Sequence, residues 1–177
     1  MSATARYRLL NAVLLAALLA GSAWAYPRLP GRIPMHFNAA GQVDRWEGRS
    51  PASWFMLPIL AAVLAVFMWG IGIIGERHPH TWNVPDKPRF LALSPEARAP
   101  IMARMGEFLA FVSLMCTALM SALQLTLYDT ATSRETQMPA WMMGFVGAFL
   151  IVVLIAGVRL NVAVGRMIRD ASASARD

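Results

Sequence analysis

Residues 54–75 read WFMLPILAAVLAVFMWGIGIIG, an apolar run without a charged side chain. About 20 such residues in an α-helix cross the hydrocarbon core of a bilayer, which is about 30 Å thick. Three further runs share this character, at residues 9–25, 106–127 and 138–160, and their only charges are Glu107 and Arg159. The sequence therefore predicts an all-α integral membrane protein with four transmembrane helices.

The composition and the distribution of charge support this fold class. The chain has 177 residues, of which 57% are hydrophobic and only 15% are charged. The net charge is +6, and the 16 basic residues are unevenly distributed. Eleven of them lie before the first run, at 76–105 and from 159 onwards. The other five lie in the intervening loops at 26–53 and 128–137. The positive-inside bias then predicts both termini in the cytoplasm. Because the basic residues form no stripe with interleaved aromatics, we expect no nucleic-acid partner and assign them to the lipid bilayer.

The first run has two interpretations. Two arginines precede it and it ends in Ala-Trp-Ala at 23–25, which is also typical of a cleaved signal peptide. Ala17, Gly21 and Ala25 nevertheless form a small-residue stripe suited to helix packing. We therefore expect the first helix to stay attached.

Small and polar residues recur at helical spacing in the last two runs. Such stripes are expected to face other helices, since an amide or hydroxyl in lipid lacks a partner. Packing is the favoured interpretation, and a polar path for a solute is the alternative. The residues concerned are Ser113, Thr117, Ser121 and Gln124 on the third helix, and Gly144 and Ala148, with Ala140, on the fourth.

Residues 76–105 are predicted to form a cytoplasmic interfacial segment. Ser94-Pro95-Glu96 resembles a helix start, and Pro100 is expected to kink or break that helix. Phe90, Leu91 and Leu93 would enter the headgroup boundary. Membrane-surface packing is the favoured role, with docking of a cytoplasmic partner as the alternative. The second helical pair would then occupy 106–160, followed by a cytoplasmic tail at 161–177 whose last nine residues we expect to be disordered.

The loop at 26–53 contains RIPMHFNAAGQVDRW, residues 32–46. Pro30 and Pro34 favour extended backbone. Two sets of residues then alternate with the period of a strand, Ile33, Met35 and Phe37 on the inner face and Pro34, His36 and Asn38 on the outward face. Residues 39–41 then predict a three-residue hairpin loop with Gly41 in the left-handed conformation. This register places His36 opposite Asp44, with Asn38 beside them.

Three roles are open for the face formed by His36, Asn38 and Asp44. It fastens the hairpin, it binds an external peptide or small ligand, or it has a metal or catalytic role. A zinc site needs three or four ligands. His78 and His80 are predicted on the other side of the membrane, and Cys116 lies alone inside a span. We therefore predict no metal, no cofactor and no enzymatic activity.

The stretch YPRLPGRIPMHFNAAGQVDRW, residues 26–46, resembles the signature of a bacterial membrane domain of unknown function, number sixteen-forty-eight. That domain occurs at the N-terminus of SdpI-type immunity and signalling proteins. The resemblance covers residues 10–72, two helices and the loop between them, and implies a multi-pass protein of the inner membrane with an outward-facing motif loop. The matching positions are Pro27, Leu29, Pro30, Ile33, Pro34, His36, Phe37, Asn38, Gly41 and Asp44.

Two classes of function follow, and a third, a membrane hydrolase, is kept only because His36, Asn38 and Asp44 could share a face. The first is a non-enzymatic membrane protein whose external loop binds or senses a ligand, which the resemblance implies is a peptide. Binding would bias the packing of the helices and so reach a cytoplasmic partner held at 76–105. The second is a structural or accessory subunit that packs against another membrane protein through its small-residue helix faces.

Overall fold

The computed structural model describes residues 1–133 and 135–174 as one bundle of four long helices. They are α1 (Ala3–Ala25), α2 (Pro51–Arg77), α4 (Pro95–Ser133) and α5 (Ala140–Ser174). Each is long and apolar enough to cross a membrane, which confirms the predicted all-α membrane fold. The shorter elements are strands β1 (Arg32–Phe37) and β2 (Val43–Gly48), the helix α3 (Lys87–Ala92), and 3-10 turns at Tyr26–Arg28 and Pro79–Thr81.

Helix α4 is the centre of the bundle, because α1, α2 and α5 each pack along it. The outward faces of the other helices carry large exposed apolar side chains, such as Phe67 on α2 and Leu154 on α5. In a bilayer these faces meet acyl chains, so their exposure is consistent with a membrane protein.

A proline in α2 explains why α4 carries a buried amide. Pro58 has no N–H to donate to the carbonyl of Trp54 four residues earlier in the helix. The side-chain amide of Gln124 donates to that carbonyl instead, at 3.1 Å. An unpaired carbonyl is costly in a membrane interior. Gln124 therefore satisfies the backbone group that Pro58 leaves without its helical partner.

The other polar residues of the predicted stripe on α4 also face the bundle. Ser113 and Thr117 are buried and Ser121 is half-buried. Ser113 accepts a hydrogen bond from the Asn11 amide of α1 at 2.8 Å. Thr117 and Ser121 donate to backbone carbonyls one turn earlier in α4. Within this stripe, the side chains of Ser113 and Gln124 thus connect α4 to α1 and α2.

The expectation for the small residues of α5 requires a correction. Gly144 and Ala148 are exposed, and no described atom lies within 4 Å of a Cβ built on Gly144. The buried residue near this end of α5 is Met142, two positions away and so roughly 200° around the helix from Gly144. Gly144 and Ala148 consequently point away from α4 and do not pack within the bundle.

The segment between α2 and α4 is a packed cap on the bundle rather than a surface-bound strip. Phe90 and Leu93 are buried together with Ile101 of α4 and with Val164 and Ile168 of α5. The prediction that Phe90 and Leu93 enter the headgroup boundary is therefore wrong, since α4 and α5 extend far enough to cover them. Leu91, by contrast, is exposed.

Two expected interruptions of helices are not observed, a break at Pro100 and a disordered tail. Helix α4 begins at Pro95, as the Ser94-Pro95-Glu96 start predicts, and continues without a break through Pro100 into the span. Pro100 removes only one hydrogen bond, to the carbonyl of Glu96 in the exposed first turn, where water can replace it. Helix α5 continues to Ser174, so most of the tail expected to be disordered is helical. Its last three residues lie outside the described residues.

Candidate functional site

The motif loop forms a two-stranded antiparallel hairpin, as its alternating pattern predicts. The strands β1 and β2 pair with Phe37 opposite Val43 and Pro34 opposite Trp46. The amide of Asn38 donates to the carbonyl of Gln42 at 2.8 Å, which closes the three-residue loop. Gly41 has a φ of +77°. This is the left-handed conformation that glycine adopts without strain.

The register departs from the prediction at one place. His36 pairs with Arg45 rather than with Asp44, while the pairs on either side keep the predicted register. One extra residue therefore lies on each strand, Asp44 on β2 and Met35 on β1. Such bulges bend a strand and re-aim a side chain. The sequence could not show them, because alternation alone carries no signal for a compensated pair of bulges.

His36 and Asp44 nevertheless interact through their side chains. The Nδ1 atom of His36 lies 2.6 Å from the Oδ1 atom of Asp44. The two side chains are 60% and 44% exposed. With Nδ1 bound to the carboxylate, the Nε2 atom of His36 and the second oxygen of Asp44 are the atoms available for a ligand. Both can accept hydrogen bonds when the imidazole is neutral.

Asn38 has a different role from its two neighbours. Its side-chain oxygen accepts hydrogen bonds from the amides of Ala40 and Gln42, each at 3.0 Å. Asparagine side chains often stabilise turns by such hydrogen bonds to nearby backbone amides, and here they fix the hairpin loop. The oxygen of Asn38 is thus committed to the loop, and only its amide NH₂ is available to a ligand.

The inner side of the hairpin packs on the helices. Ile33 is fully buried and lies with Leu29, Trp54 and Ala131 in one apolar cluster. Met35 and Phe37 pack against the same cluster, whereas His36 faces outwards. Pro34 is also buried, which differs from its expected place on the outward face. Pro30 lies exposed before β1.

The segment between α4 and α5 binds the tip of the hairpin. The amide of Val43 donates to the carbonyl of Thr136 at 2.8 Å, and the amide of Met138 donates to the carbonyl of Gly41 at 2.6 Å. The side chain of Gln137 donates to the carbonyl of Ala40 at 2.8 Å. These contacts extend the sheet by only a few residues and show no periodic pattern, so they could not be predicted from the sequence. Through these bonds the motif loop is attached to both helical pairs.

Within the described residues, no group of three or more His, Cys, Asp or Glu side chains is placed to hold a metal ion. The hairpin pair thus consists of one imidazole and one carboxylate beside a committed amide. This arrangement can accept hydrogen bonds and present negative charge to a ligand.

The fold and this loop define a multi-pass membrane protein with four apolar helices and a helix-anchored hairpin. Residues 13–62 match the family model described as Domain of unknown function (DUF1648), which confirms the resemblance predicted from the motif. The matched segment comprises most of α1, the whole hairpin and the first part of α2. No curated protein and no solved structure matches the chain.

Proposed function

We propose that this protein binds an extracytoplasmic ligand at the outward face of the hairpin, and that His36 and Asp44 make the contact. The observation that carries the proposal is the exposed His36–Asp44 hydrogen bond on a hairpin already fastened by other means. Backbone bonds to the segment between α4 and α5, together with buried Ile33, hold the hairpin in place. The pair is therefore not needed as a fastener.

The chemistry of the pair favours a ligand rich in hydrogen-bond donors. The free carboxylate oxygen of Asp44 and the Nε2 atom of His36 can both accept from an ammonium or guanidinium group, and bonds to charged groups are the stronger kind. A peptide with an exposed lysine, arginine or amino terminus has these donors. A peptide ligand is also the kind of ligand that the family resemblance implies.

The hairpin's attachments give a route by which a bound ligand affects the helices. Contacts to Thr136 and Met138 connect it to the start of α5, and Ile33 connects it to α2 and α4. A ligand that binds one arrangement of these helices more tightly than another shifts the equilibrium towards that arrangement, by an amount set by the difference between the two affinities. The far ends of α4 and α5 hold the packed cap, residues 78–94, where we place a cytoplasmic partner.

Orientation is the first test, because the proposal requires the hairpin outside the inner membrane and both termini in the cytoplasm. Reporter fusions at the C-terminus and at residues 128–137 decide it. The C-terminal fusion should report the cytoplasm and the internal fusion the outside. A C-terminal fusion that is active only outside contradicts the proposal.

Binding is the second test. Hydrogen exchange of the hairpin is measured in native membranes, with and without peptide fractions of the medium in which the cells grew. A binding fraction should slow exchange at the hairpin, and the protection should disappear in His36→Ala. Glu47→Gln is the matched control, because it changes an exposed carboxylate of β2 whose ion-pair partner is Arg45 and neither member of the pair. Equal protection in wild type and His36→Ala contradicts a role for the pair.

An accessory subunit is the second candidate, and the exposed side of α5 favours it. Gly144 and Ala148 leave a small-residue face without a partner among the described residues. Small residues let another helix approach closely in a membrane. If the protein is an accessory subunit, its cellular function at constant expression should survive His36→Ala and be lost in Gly144→Leu. If it is a receptor, the two variants should show the reverse. Cellular function of the two variants therefore separates the candidates.

A further inference from the structure

The two charges that interrupt the apolar runs meet in one groove at the end of the bundle remote from the hairpin. Glu107 of α4 and Arg159 of α5 both line a groove of ≈ 570 Å³ between α1, α4 and α5. Arg104 of α4 lies at the same groove and binds Glu107 at 2.9 Å. Ionisable residues within spans are costly and often functional.

The charges of the groove do not cancel. Arg104 and Glu107 neutralise each other, whereas Arg159 forms no ion pair with any described residue. The groove therefore keeps one net positive charge. Its volume is within the range of about 300–1,000 Å³ that small-ligand sites occupy. An anion with a single charge is the complementary ligand.

The position of the charges selects a ligand from the bilayer. Arg104 lies about 40 Å along α4 from Ala131, which packs against the hairpin, if the helix rises 1.5 Å per residue. The hydrocarbon core is about 30 Å thick, so Arg104 falls in the headgroup layer opposite the hairpin. The phosphates of phospholipids occupy that layer.

The rest of the groove is apolar and opens towards lipid. Phe111 on α4 and Val152 on α5 each lie seven residues, about 10 Å, deeper than Arg104 and Arg159. Val152 and Ile155 are 42% and 48% exposed, so the groove is open in the membrane plane. An acyl chain fits such a wall, and a water-soluble anion does not.

We propose that this groove is a specific site for an anionic phospholipid, whose phosphate binds Arg159 beside the Arg104–Glu107 pair and whose acyl chain lies against Phe111, Val152 and Ile155. Basic pockets between transmembrane helices are known to hold lipid headgroups. The site is separate from the hairpin and does not depend on the function proposed for it.

Native mass spectrometry of the delipidated full chain tests the site, with phosphatidylglycerol and phosphatidylethanolamine of identical acyl chains as probes. One unpaired arginine near a headgroup contributes about 1 kcal/mol, so phosphatidylglycerol should bind roughly fivefold tighter than phosphatidylethanolamine. Arg159→Gln should remove this preference. Arg166→Gln, an exposed arginine of α5 away from the groove, should keep it. Equal affinity of the two lipids in wild type, or equal losses in the two variants, overturns the proposal.

A second pair of variants tests the acyl-chain wall without altering charge. Ala156→Phe fills the groove and should weaken both lipids by at least fivefold, whereas Ala148→Phe, at an exposed position of α5 that does not line it, should not. Glycerophosphoglycerol, which has the singly charged phosphodiester of phosphatidylglycerol and no acyl chain, should not displace phosphatidylglycerol at equal concentration. Three results overturn the site: unchanged binding in Ala156→Phe, displacement by glycerophosphoglycerol, or binding of a second copy of the chain in the groove instead of lipid.

Discussion

The two ends of the bundle are held together by different combinations of forces. At one end, the hairpin packs on an apolar cluster through Ile33, is also tied by backbone hydrogen bonds to the segment between α4 and α5, and presents an exposed polar pair. At the other end, the cap between α2 and α4 buries Phe90 and Leu93 against α4 and α5. Hydrogen bonds fix direction, whereas apolar burial contributes more stability per side chain. The hairpin end thus adds hydrogen bonds of defined geometry to its apolar packing, and the apolar packing of the cap contributes mainly stability.

The largest expected effect tests the cap. Phe90→Ala removes a fully buried aromatic ring and should lower the free energy of unfolding by about 3–5 kcal/mol. The neighbouring Leu91→Ala is the matched control, since Leu91 is exposed and its loss should cost well under half as much. Unfolding of the purified protein in mixed micelles measures both. If the two variants lose equal stability, the cap is not a packed core.

The second effect tests the turn that shapes the hairpin. Gly41→Val forces a β-branched residue to a φ of +77° and places its Cβ 3.1 Å from the Gln137 amide nitrogen. The strain alone should cost about 1–2 kcal/mol. Hydrogen exchange should also accelerate at the Val43 and Met138 amides, which bond across this contact.

Ala40→Val is the control for the turn, because Ala40 is exposed and its φ is not positive. It should leave exchange at Val43 and Met138 unchanged. If exchange accelerates equally in the two variants, the effect comes from the added bulk at the tip of the hairpin and not from the left-handed conformation of Gly41.

The third effect lies between the two ends, where Gln124 binds the Trp54 carbonyl. Gln124→Leu should cost on the order of 1 kcal/mol, because interhelical hydrogen bonds in membranes are modest. In a Pro58→Ala background the helix supplies its own donor to that carbonyl, so the same change should cost less. A double-mutant cycle of unfolding free energies measures the difference. Additive effects would mean that Gln124 does not compensate for Pro58.

Sequence reasoning succeeded where an apolar run or a periodic pattern lies within one element. The four spans follow from hydropathy, the inward stripe from Ser113 to Gln124 follows from helical spacing, and the hairpin follows from strand alternation. Each pattern extends over several residues of one element. The period therefore identifies both the element and, for α4 and β1, the face that is buried.

It failed where the decisive partner lies far along the chain. Phe90 resembles a membrane-surface residue until Val164 and Ile168 cover it, and Gln137 shows no sign of its bond to Ala40. The prediction of the packing face of α5 was also wrong. Gly144 and Ala148 have the spacing of a packing stripe but are exposed, whereas Met142, which is not part of that stripe, is buried. Spacing shows that residues share a face, and only the fold shows what that face meets.

The smallest expected effect on stability is at the hairpin pair, and it separates a binding role from a fastening role. Even exposed pairs of opposite charge contribute only about 0–1 kcal/mol, so Asp44→Asn should leave the unfolding free energy and the exchange of hairpin amides nearly unchanged. Asn keeps the size of the side chain and can still accept from Nδ1 of His36, but it removes the negative charge that a cationic ligand would meet. If the pair fastens the hairpin, Asp44→Asn should instead accelerate exchange at Val43 as Gly41→Val does. If the pair serves a ligand, Asp44→Asn should lose the protection from hydrogen exchange that the ligand confers on the hairpin, while the Val43 amide stays protected in the ligand-free protein. The exposed geometry of His36 and Asp44 predicts this second outcome.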